Sequence, residues 1–172
     1  MRFSGGMVYA CRLAGVVVFA LVLAACSRPR SQPQEYGIGS VGSVAAPGSP
    51  QEFETRVGNI VRFAEDSSAL SGEAQGILRS QAGWLNQYSQ YTITIEGHAD
   101  ERGTREYNLA LGARRAMTVK GFLGRVGVNP ARMRTISYGK ERPVAVCDAP
   151  SCWNQNRRAV TNLNDGAVAQ NY

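Results

Sequence analysis

The chain is poor in histidine, the commonest ligand of hydrolytic metal centres, since its 172 residues include only one, His98. Hydrolytic zinc sites usually carry two or three histidines, so a zinc ion at His98 would need carboxylates as its other ligands. Nucleophilic catalysis would need a serine or cysteine placed against His98, and the sequence has no nucleophile-elbow motif. These absences argue against an enzyme, a metal site or a cofactor. We interpret His98 as a strand-end residue with a hydrogen-bonding role.

Long runs of one charge are also missing. The chain has 19 Lys and Arg residues against 13 Asp and Glu residues, for a formal net charge of +6, and the two signs alternate along the sequence. A nucleic-acid-binding surface is usually marked by clustered basic residues. The sequence therefore predicts no nucleic-acid partner, and the net charge is compatible only with a weak attraction to anionic polymers.

The long apolar run of the sequence lies within the first 25 residues. Residues 13–25 read LAGVVVFALVLAA and follow the two charges Arg2 and Arg12. This run is shorter than the ~20 apolar residues that a membrane-spanning helix requires. A basic start, a short apolar core and small residues at the end are typical of a secretory signal peptide, which we place at residues 1–25.

The end of this segment contains a candidate lipidation site. Residues 23–26 read LAAC, which resembles the processing box of bacterial lipoproteins. The resemblance implies that cleavage makes Cys26 the new N-terminus and that its thiol and amine are acylated, and two or more acyl chains give stable anchoring. Ser27 stands where Asp would favour the inner membrane, so the resemblance implies the outer membrane, with the remaining chain in the periplasm. A cysteine in an ordinary signal sequence or membrane stub is the alternative.

Cys147 and Cys152 are the two cysteines that remain after Cys11 leaves with the signal and Cys26 is lipidated. A disulfide is the default for such a pair in an exported, oxidising compartment, and we predict one. A metal-binding pair is the alternative, but four intervening residues and the absence of a nearby histidine make it weak.

Composition divides the mature chain into a linker, a domain and a tail. Residues 26–52 are rich in Ser, Pro, Gly and Gln and lack an apolar period, which predicts a flexible tether behind the lipidated N-terminus. Residues 53–164 are predicted to form one domain, with a length near the commonest domain size. Residues 165–172 are small and polar, and we predict a disordered tail.

Hydrophobic periodicity predicts an α+β fold. Apolar residues at helical spacing predict helices over 71–88 and 104–125, the first with Ser71 as its N-cap. Alternation over residues 91–96 predicts a half-buried strand. Two strand–helix–strand units and a last strand imply a mixed sheet with helices packed on one face. The other predicted elements are strands over 57–63, 133–138 and 158–163 and a helical turn over 152–156.

Residues 96–116 contain the strongest candidate for a binding site. Asp100 follows a strand, and Arg115 lies two to three turns along the next helix. Asn108, Leu111 and Arg115 fall at steps of three and four, on one stripe that leads back to the helix N-terminus. The free N–H groups at that terminus favour an anionic ligand group. The spacing predicts a pocket walled by these four side chains. A structural role, with Asp100 and Arg115 bonded to each other or to backbone, is an equal alternative.

Three motifs carry a family resemblance: GHADERGTREYNLALGARRA at 97–116, SYGKERP at 137–143 and NQNRRAV at 154–160. Together with the processing box and tether, they resemble the peptidoglycan-associated lipoproteins of Gram-negative bacteria. The resemblance covers residues 56–163 and implies the fold of the outer-membrane-protein-A C-terminal domain, with strands and helices in the order βαβαβ(α)β.

The resemblance also implies a ligand, meso-diaminopimelate in the stem peptide of peptidoglycan. It assigns Asp100 to an ammonium group of that residue and Arg115 to its carboxylate. Asn108 and Leu111 match positions that line the same pocket, and Asp66 matches an acidic position at its rim.

The sequence departs from the family pattern at Glu65, where some members carry an aromatic residue, and this bears on the rim contact of the neighbouring Asp66. Arg114, Arg157 and Arg158 match family positions but receive no ligand role here. They are expected to support the sheet or to face partners.

The function implied by the resemblance is binding rather than catalysis. A lipid at Cys26 would hold the outer membrane while the domain binds peptidoglycan without a covalent bond. The family works with TolB and other Tol proteins in envelope integrity and in constriction at cell division. A hydrolase acting on the same polymer is the alternative from another class, and another wall-binding protein of the same fold, such as a flagellar stator component, is the nearer one.

Overall fold

The computed structural model describes residues 45–164, which contain a four-stranded sheet and four α-helices. The predicted signal peptide, the Cys26 lipidation site, most of the predicted tether and the predicted tail lie outside the described residues. Within residues 45–164, no helix is both long enough and apolar enough to cross a membrane.

The sheet is mixed, with strand order β1–β4–β2–β3. Its parallel pair joins β2 to β3, with Ile93 opposite Met133, while β4 runs antiparallel to both β1 and β2. The predicted α+β class and mixed sheet are confirmed. The strands are β1 Ile60–Arg62, β2 Thr92–His98, β3 Met133–Gly139 and β4 Arg158–Asn164.

The two long helices begin at side-chain caps. Ser71 Oγ accepts a hydrogen bond from the Ala74 N–H at 3.1 Å, and Thr104 Oγ1 accepts one from the Tyr107 N–H at 3.2 Å. Each cap satisfies one of the free N–H groups of a helix N-terminus, which fixes where the helix starts. The α-helices are α1 Pro50–Glu52, α2 Gly72–Gln87, α3 Arg105–Arg125 and α4 Pro150–Asn156, with a 3₁₀ turn at Pro130–Arg132.

The segment before β1 is helical, although the sequence predicted a strand from residue 57. Helix α1 continues into a π-helical turn, Phe53–Gly58, and only Ile60–Arg62 of the predicted strand is extended. Phe53 is fully buried against Trp84, with ring centroids 4.9 Å apart. Packing of this one aromatic side chain explains the difference, because it holds the turn against α2 whatever the local strand propensity.

Residues 45–52, assigned to the tether on composition, are also packed against the domain. The Glu52 carboxylate accepts hydrogen bonds from Trp84 Nε1 at 3.0 Å and from the Gly48 N–H at 2.7 Å. Tyr91 Oη donates to the Gly48 carbonyl at 2.9 Å. The packed part of the chain therefore includes residues before the predicted boundary at 53.

The core lies between the helices and one face of the sheet. Gly97 on β2 and Gly112 on α3 touch there, and a β-carbon on either would collide with the other strand or helix backbone. This close approach holds the carboxyl end of β2 against α3. The largest fully buried apolar side chains are Phe53, Leu78, Leu85, Ile93, Ile95, Leu123, Val119 and Val128.

Cys147 and Cys152 are joined in a disulfide, with Cα atoms 5.8 Å apart. The bridge closes the loop between β3 and α4 and includes a residue of α4 itself. It therefore fixes the start of this short helix, whose next residue, Trp153, lies against the site described below.

Candidate functional site

A cavity of about 280 Å³ opens where the loop after β1 meets the loop between β2 and α3. Its volume is close to the lower end of the range for small-molecule sites, about 300–1,000 Å³. The structure brings together all five residues that the sequence analysis placed in the ligand site. The cavity is lined by Glu65, Asp66, Asp100, Arg102, Gly103, Tyr107, Asn108, Leu111 and Arg115.

Helix α3 supplies one wall because its residues at steps of three and four share a stripe. Asn108, Leu111 and Arg115 are all buried on this stripe. Asn108 Nδ2 donates to the Arg102 carbonyl at 2.7 Å and to the Thr104 carbonyl at 3.0 Å. The amide therefore pins the β2–α3 loop to the first turn of the helix.

Arg115 is fully buried and binds three backbone carbonyls, two in the loop after β1 and one at the end of β2. Its Nε donates to the Ser67 carbonyl at 2.8 Å, its Nη1 to the His98 carbonyl at 2.7 Å and its Nη2 to the Ala64 carbonyl at 3.1 Å. Burial lowers the pKa of Arg115 to about 10, although the nearby Asp100 carboxylate opposes the shift. The guanidinium therefore stays charged at neutral pH.

Asp100 and Arg115 are not paired with each other in the described part of the chain, where every ion pair of Asp100 is with another arginine. The structural alternative for Arg115 is nonetheless partly correct, because its guanidinium bonds to backbone. Arg115 both supports the loops of the cavity and places a positive charge in its lining.

Asp100 is 7% exposed and is held by two arginines. Arg102 Nη2 donates to its Oδ2 at 2.7 Å, and Arg157 Nη1 donates to the same oxygen at 3.2 Å. Burial acts to raise the pKa of Asp100, but the hydrogen bonds from Arg102 and Arg157 outweigh it and the pKa is lowered. The cavity therefore contains an ionised carboxylate as well as a guanidinium.

Two contacts join the β1 loop to the region around the start of α3. Arg102 Nη1 donates to Glu65 Oε1 at 2.7 Å, and the Tyr107 hydroxyl donates to Asp66 Oδ1. Asp66 has a positive φ of 49°, a conformation that Asp tolerates better than most residues. The hydrogen bond to Asp66 raises the pKa of Tyr107, which stays protonated at neutral pH.

Arg102 and Tyr107 line the cavity, but the sequence analysis did not predict them there. Both lie within the GHADERGTREYN motif, but nothing in their spacing marks them as partners of residues 65 and 66. The one available signal was the pair of adjacent carboxylates at 65 and 66, which need donors from elsewhere in the fold.

His98 does not have the side-chain hydrogen bond that the sequence analysis expected. The residue is 1% exposed, and neither ring nitrogen has a hydrogen-bond partner. Nε2 lies 3.4 Å from Glu96 Oε2 but outside hydrogen-bonding geometry. Burial lowers the pKa of His98 to about 4, and Arg158 and Arg142 add to the shift. The ring is neutral, and His98 serves the site through its carbonyl, which binds Arg115.

Arg157 and Arg158 are both buried. Arg157 donates to Asp100 and also donates from Nε to the Phe63 carbonyl at 3.2 Å. It therefore links the Asp100 carboxylate to the backbone that follows β1. Arg158 donates to the Arg142 carbonyl at 3.2 Å. Within residues 45–164, no group of three His, Cys, Asp or Glu side chains is placed to hold a metal ion.

Comparison with known proteins relates this chain and its fold to one family. The model of the OmpA family matches residues 62–157. A peptidoglycan-associated lipoprotein of Agrobacterium fabrum is 56% identical over 155 residues, which cover 88% of this chain and 87% of that protein. A peptidoglycan-associated lipoprotein of Brucella melitensis is 55% identical over 153 residues, which cover 88% of this chain and 91% of that protein.

Solved structures agree with these relatives. The crystal structure of the peptidoglycan-associated lipoprotein from Burkholderia pseudomallei is 39% identical, with a TM-score of 0.64, and the match covers 67% of this chain and all of that one. The C-terminal domain of Helicobacter pylori MotB is 23% identical, with a TM-score of 0.59 over 63% of this chain and 86% of that one, and shares the fold alone. The chain belongs to the OmpA family and, within it, to the peptidoglycan-associated lipoproteins.

Proposed function

We propose that the domain binds peptidoglycan non-covalently, through the cavity between the β1 loop and helix α3. One observation carries the proposal: an ionised Asp100 and a charged Arg115 line the same cavity. A ligand that carries both an ammonium and a carboxylate complements this pair. The names of the relatives point to the polymer on which such a group is found.

The ligand group that fits is meso-diaminopimelate of the stem peptide. Its ammonium would bind Asp100, and its carboxylate would bind near Arg115 and the N-terminus of α3, where free N–H groups attract anions. Arg115 uses three of its five N–H groups on backbone carbonyls, so two remain for a carboxylate. Asn108, Leu111 and Asp66 complete the lining around this group.

The site is suited to holding this ligand rather than cleaving it. Hydrolysis by paired carboxylates needs two acids whose pKa values are set apart, one of them kept protonated. Asp100 is held ionised by Arg102 and Arg157, and the buried ring of His98 is neutral with no hydrogen-bond partner. We therefore place the protein among binding proteins and not among wall hydrolases.

The wider role that we propose is a tether between outer membrane and cell wall. The LAAC sequence at residues 23–26 supports a lipid anchor at Cys26, with the domain in the periplasm. TolB and other Tol proteins are the proposed partners, and envelope integrity and constriction at division the proposed process. The relatives named as peptidoglycan-associated lipoproteins support the lipid anchor and the binding to the cell wall.

Replacing Asp100 by Asn is expected to weaken binding of a stem tripeptide that contains meso-diaminopimelate. The change removes the charge that pairs with the ammonium but keeps the size of the side chain. A hydrogen bond to a charged group contributes about 1.5–3 kcal/mol, so Kd should rise roughly 10- to 150-fold. Titration calorimetry measures this, with a lysine-containing tripeptide as the comparison ligand.

Glu106→Gln is the matched control, since Glu106 is an exposed carboxylate in the first turn of α3 and does not line the cavity. Its Kd should equal that of the wild type. Equal affinity of the wild type and Asp100→Asn for the tripeptide would defeat the proposed site.

Metabolic labelling with a radioactive fatty acid is expected to mark the protein at Cys26. Cys26→Ala should abolish the label, because the acylated thiol and the cleavage site are both lost. The measurement is fluorography of membranes from cells that express either form, with immunodetection as the loading control. An unlabelled wild-type protein in the soluble fraction would contradict the prediction of a lipid anchor at Cys26.

A further inference from the structure

Arg102 lies between the two carboxylates on the acidic side of the cavity. Its Nη2 donates to Asp100 Oδ2 at 2.7 Å, and its Nε approaches Asp100 Oδ1 at 3.3 Å. From the other end of the guanidinium, Nη1 donates to Glu65 Oε1 at 2.7 Å. Arg102 therefore bridges the two carboxylates to which a ligand ammonium would bind, while Arg157 also binds Asp100.

The position of Arg102 is supported from below by an aromatic ring. The guanidinium carbon lies 4.2 Å from the centre of the Trp153 ring, and Trp153 Nε1 donates to Glu101 Oε1 at 2.8 Å. A guanidinium can stack on an aromatic face while its edge N–H groups bind carboxylates in the same plane. Trp153 directly follows Cys152, so the disulfide-closed loop helps to position this ring against the Arg102 guanidinium.

Arg115 itself is closed off from solvent within the lining of the same cavity. Arg102 bonds Glu65, and Tyr107 bonds Asp66, so two contacts join the β1 loop to the region around the start of α3. Arg115 lines the cavity, yet none of its surface is exposed to solvent. A ligand carboxylate therefore reaches the Arg115 guanidinium only if the residues around it shift.

We propose that Arg102 is the resident occupant of the ammonium subsite, so that a ligand ammonium binds Asp100 and Glu65 only by displacing the Arg102 guanidinium. The inference rests on the proposed function, because it concerns how the same cavity selects its ligand. A ligand that has only an ammonium group replaces the Arg102 guanidinium with another cation, so its net binding free energy is small. A ligand that also brings a carboxylate supplies a new partner for the displaced Arg102 and for Arg115.

Arg102→Gln is expected to bind the meso-diaminopimelate tripeptide more tightly than the wild type does. Affinity for a site that must first release an occupant is reduced by the fraction of molecules in which the site is free, so removing the occupant should lower Kd by about five- to tenfold. Arg102→Lys keeps a cation of similar reach and should stay near the wild type. Arg102→Gln should raise the affinity for the lysine-containing tripeptide by a larger factor than the affinity for the diaminopimelate tripeptide. The two Kd values should therefore differ less in Arg102→Gln than in the wild type.

The measurement is calorimetric titration of the full-length protein in detergent, with circular dichroism to verify that each variant is folded. Trp153→Leu is the second variant, since it removes the ring beneath Arg102 and the hydrogen bond to Glu101 but leaves Asp100 and Glu65 unchanged. It should also lower Kd, by about twofold, because a loosened occupant leaves more often. This variant keeps the test decisive if Arg102→Gln fails to fold.

The outcomes separate the inference from the proposed function. If the wild type binds, Asp100→Asn binds more weakly, and Arg102→Gln binds no more tightly than the wild type, the role of Arg102 is overturned and the proposed function stands. If Arg102→Gln binds the tripeptide and the wild type does not, Arg102 is an occupant strong enough to block the site. If neither protein binds, both proposals are overturned.

Discussion

Replacing Arg115 by Ala is expected to lower the free energy of unfolding by about 3–5 kcal/mol, which is the range for breaking a buried charged network. The guanidinium is fully buried and donates to three backbone carbonyls, those of Ala64, Ser67 and His98. Truncation would remove a donor from each of these carbonyls, leaving Ala64 only the Ser67 N–H at 3.4 Å, and would also leave a cavity beneath the β1 loop. Urea unfolding followed by circular dichroism measures the change.

Arg114→Ala is the matched control, because Arg114 is the preceding residue on α3 and is exposed. Exposed substitutions usually change stability by no more than about 0.5 kcal/mol. If the two variants unfold at the same urea concentration, the three hydrogen bonds of Arg115 contribute far less than their geometry implies.

This expectation changes how Arg115 should be tested as a ligand residue. Loss of wall binding in Arg115→Ala would follow from unfolding as readily as from the loss of a charge partner. Asp100→Asn is the sharper probe, since Asn keeps the volume of the side chain and its one amide oxygen can still accept the two hydrogen bonds that Arg102 Nη2 and Arg157 Nη1 donate to Oδ2. A carboxylate-binding role for Arg115 is better examined in Arg115→Lys, which keeps the charge but loses the planar fork of donors.

The long helices and most strands could be predicted because their signals are local. Ser71 caps α2 as its position suggested, and apolar spacing marked α3 to its end at Arg125. The π-helical turn at Phe53–Gly58 could not be predicted in this way. It depends on the burial of Phe53 against Trp84, a partner that no window of neighbouring residues contains.

The site also contains some residues that local spacing predicts and others that only the fold brings together. Asn108, Leu111 and Arg115 share a helical stripe, so their convergence follows from spacing within one element. Arg102 pairs with a residue 37 positions away, and this pairing exists only because the sheet brings the β1 loop beside the start of α3. The sequence could identify Asp100 and Arg115 as charges suited to a ligand, but it could not show that Asp100 is already bound by the protein's own Arg102.

Replacing Gly97 by Ala is expected to lower the free energy of unfolding by on the order of 3–5 kcal/mol, above the usual cost of overpacking. A β-carbon at Gly97 would overlap the carbonyl of Gly112, a backbone atom that cannot turn away as a side chain would. Strand β2 and helix α3 would have to separate. Urea unfolding measures the loss, with Gly76→Ala in α2 as the control.

Gly76 offers a clean comparison because a β-carbon there meets no atom within 4 Å. Ala in an exposed helix position should stabilise the protein by about 0.5–1 kcal/mol relative to Gly. Opposite signs for the two substitutions would separate close packing at Gly97 from the general effect of removing a glycine. Equal and small effects would show that β2 and α3 can part without cost.

Gly97→Ala should weaken ligand binding as well as lower stability, and the reason is geometric. Asp100 lies three residues beyond Gly97, and Arg115 lies one helical turn beyond Gly112, so the contact between the two glycines sets the spacing of the two charges. Under conditions where the variant is still folded, it should bind the diaminopimelate tripeptide less tightly than Gly76→Ala does. Unchanged affinity in the folded fraction would mean that the loops, and not the close packing of β2 on α3, position the site.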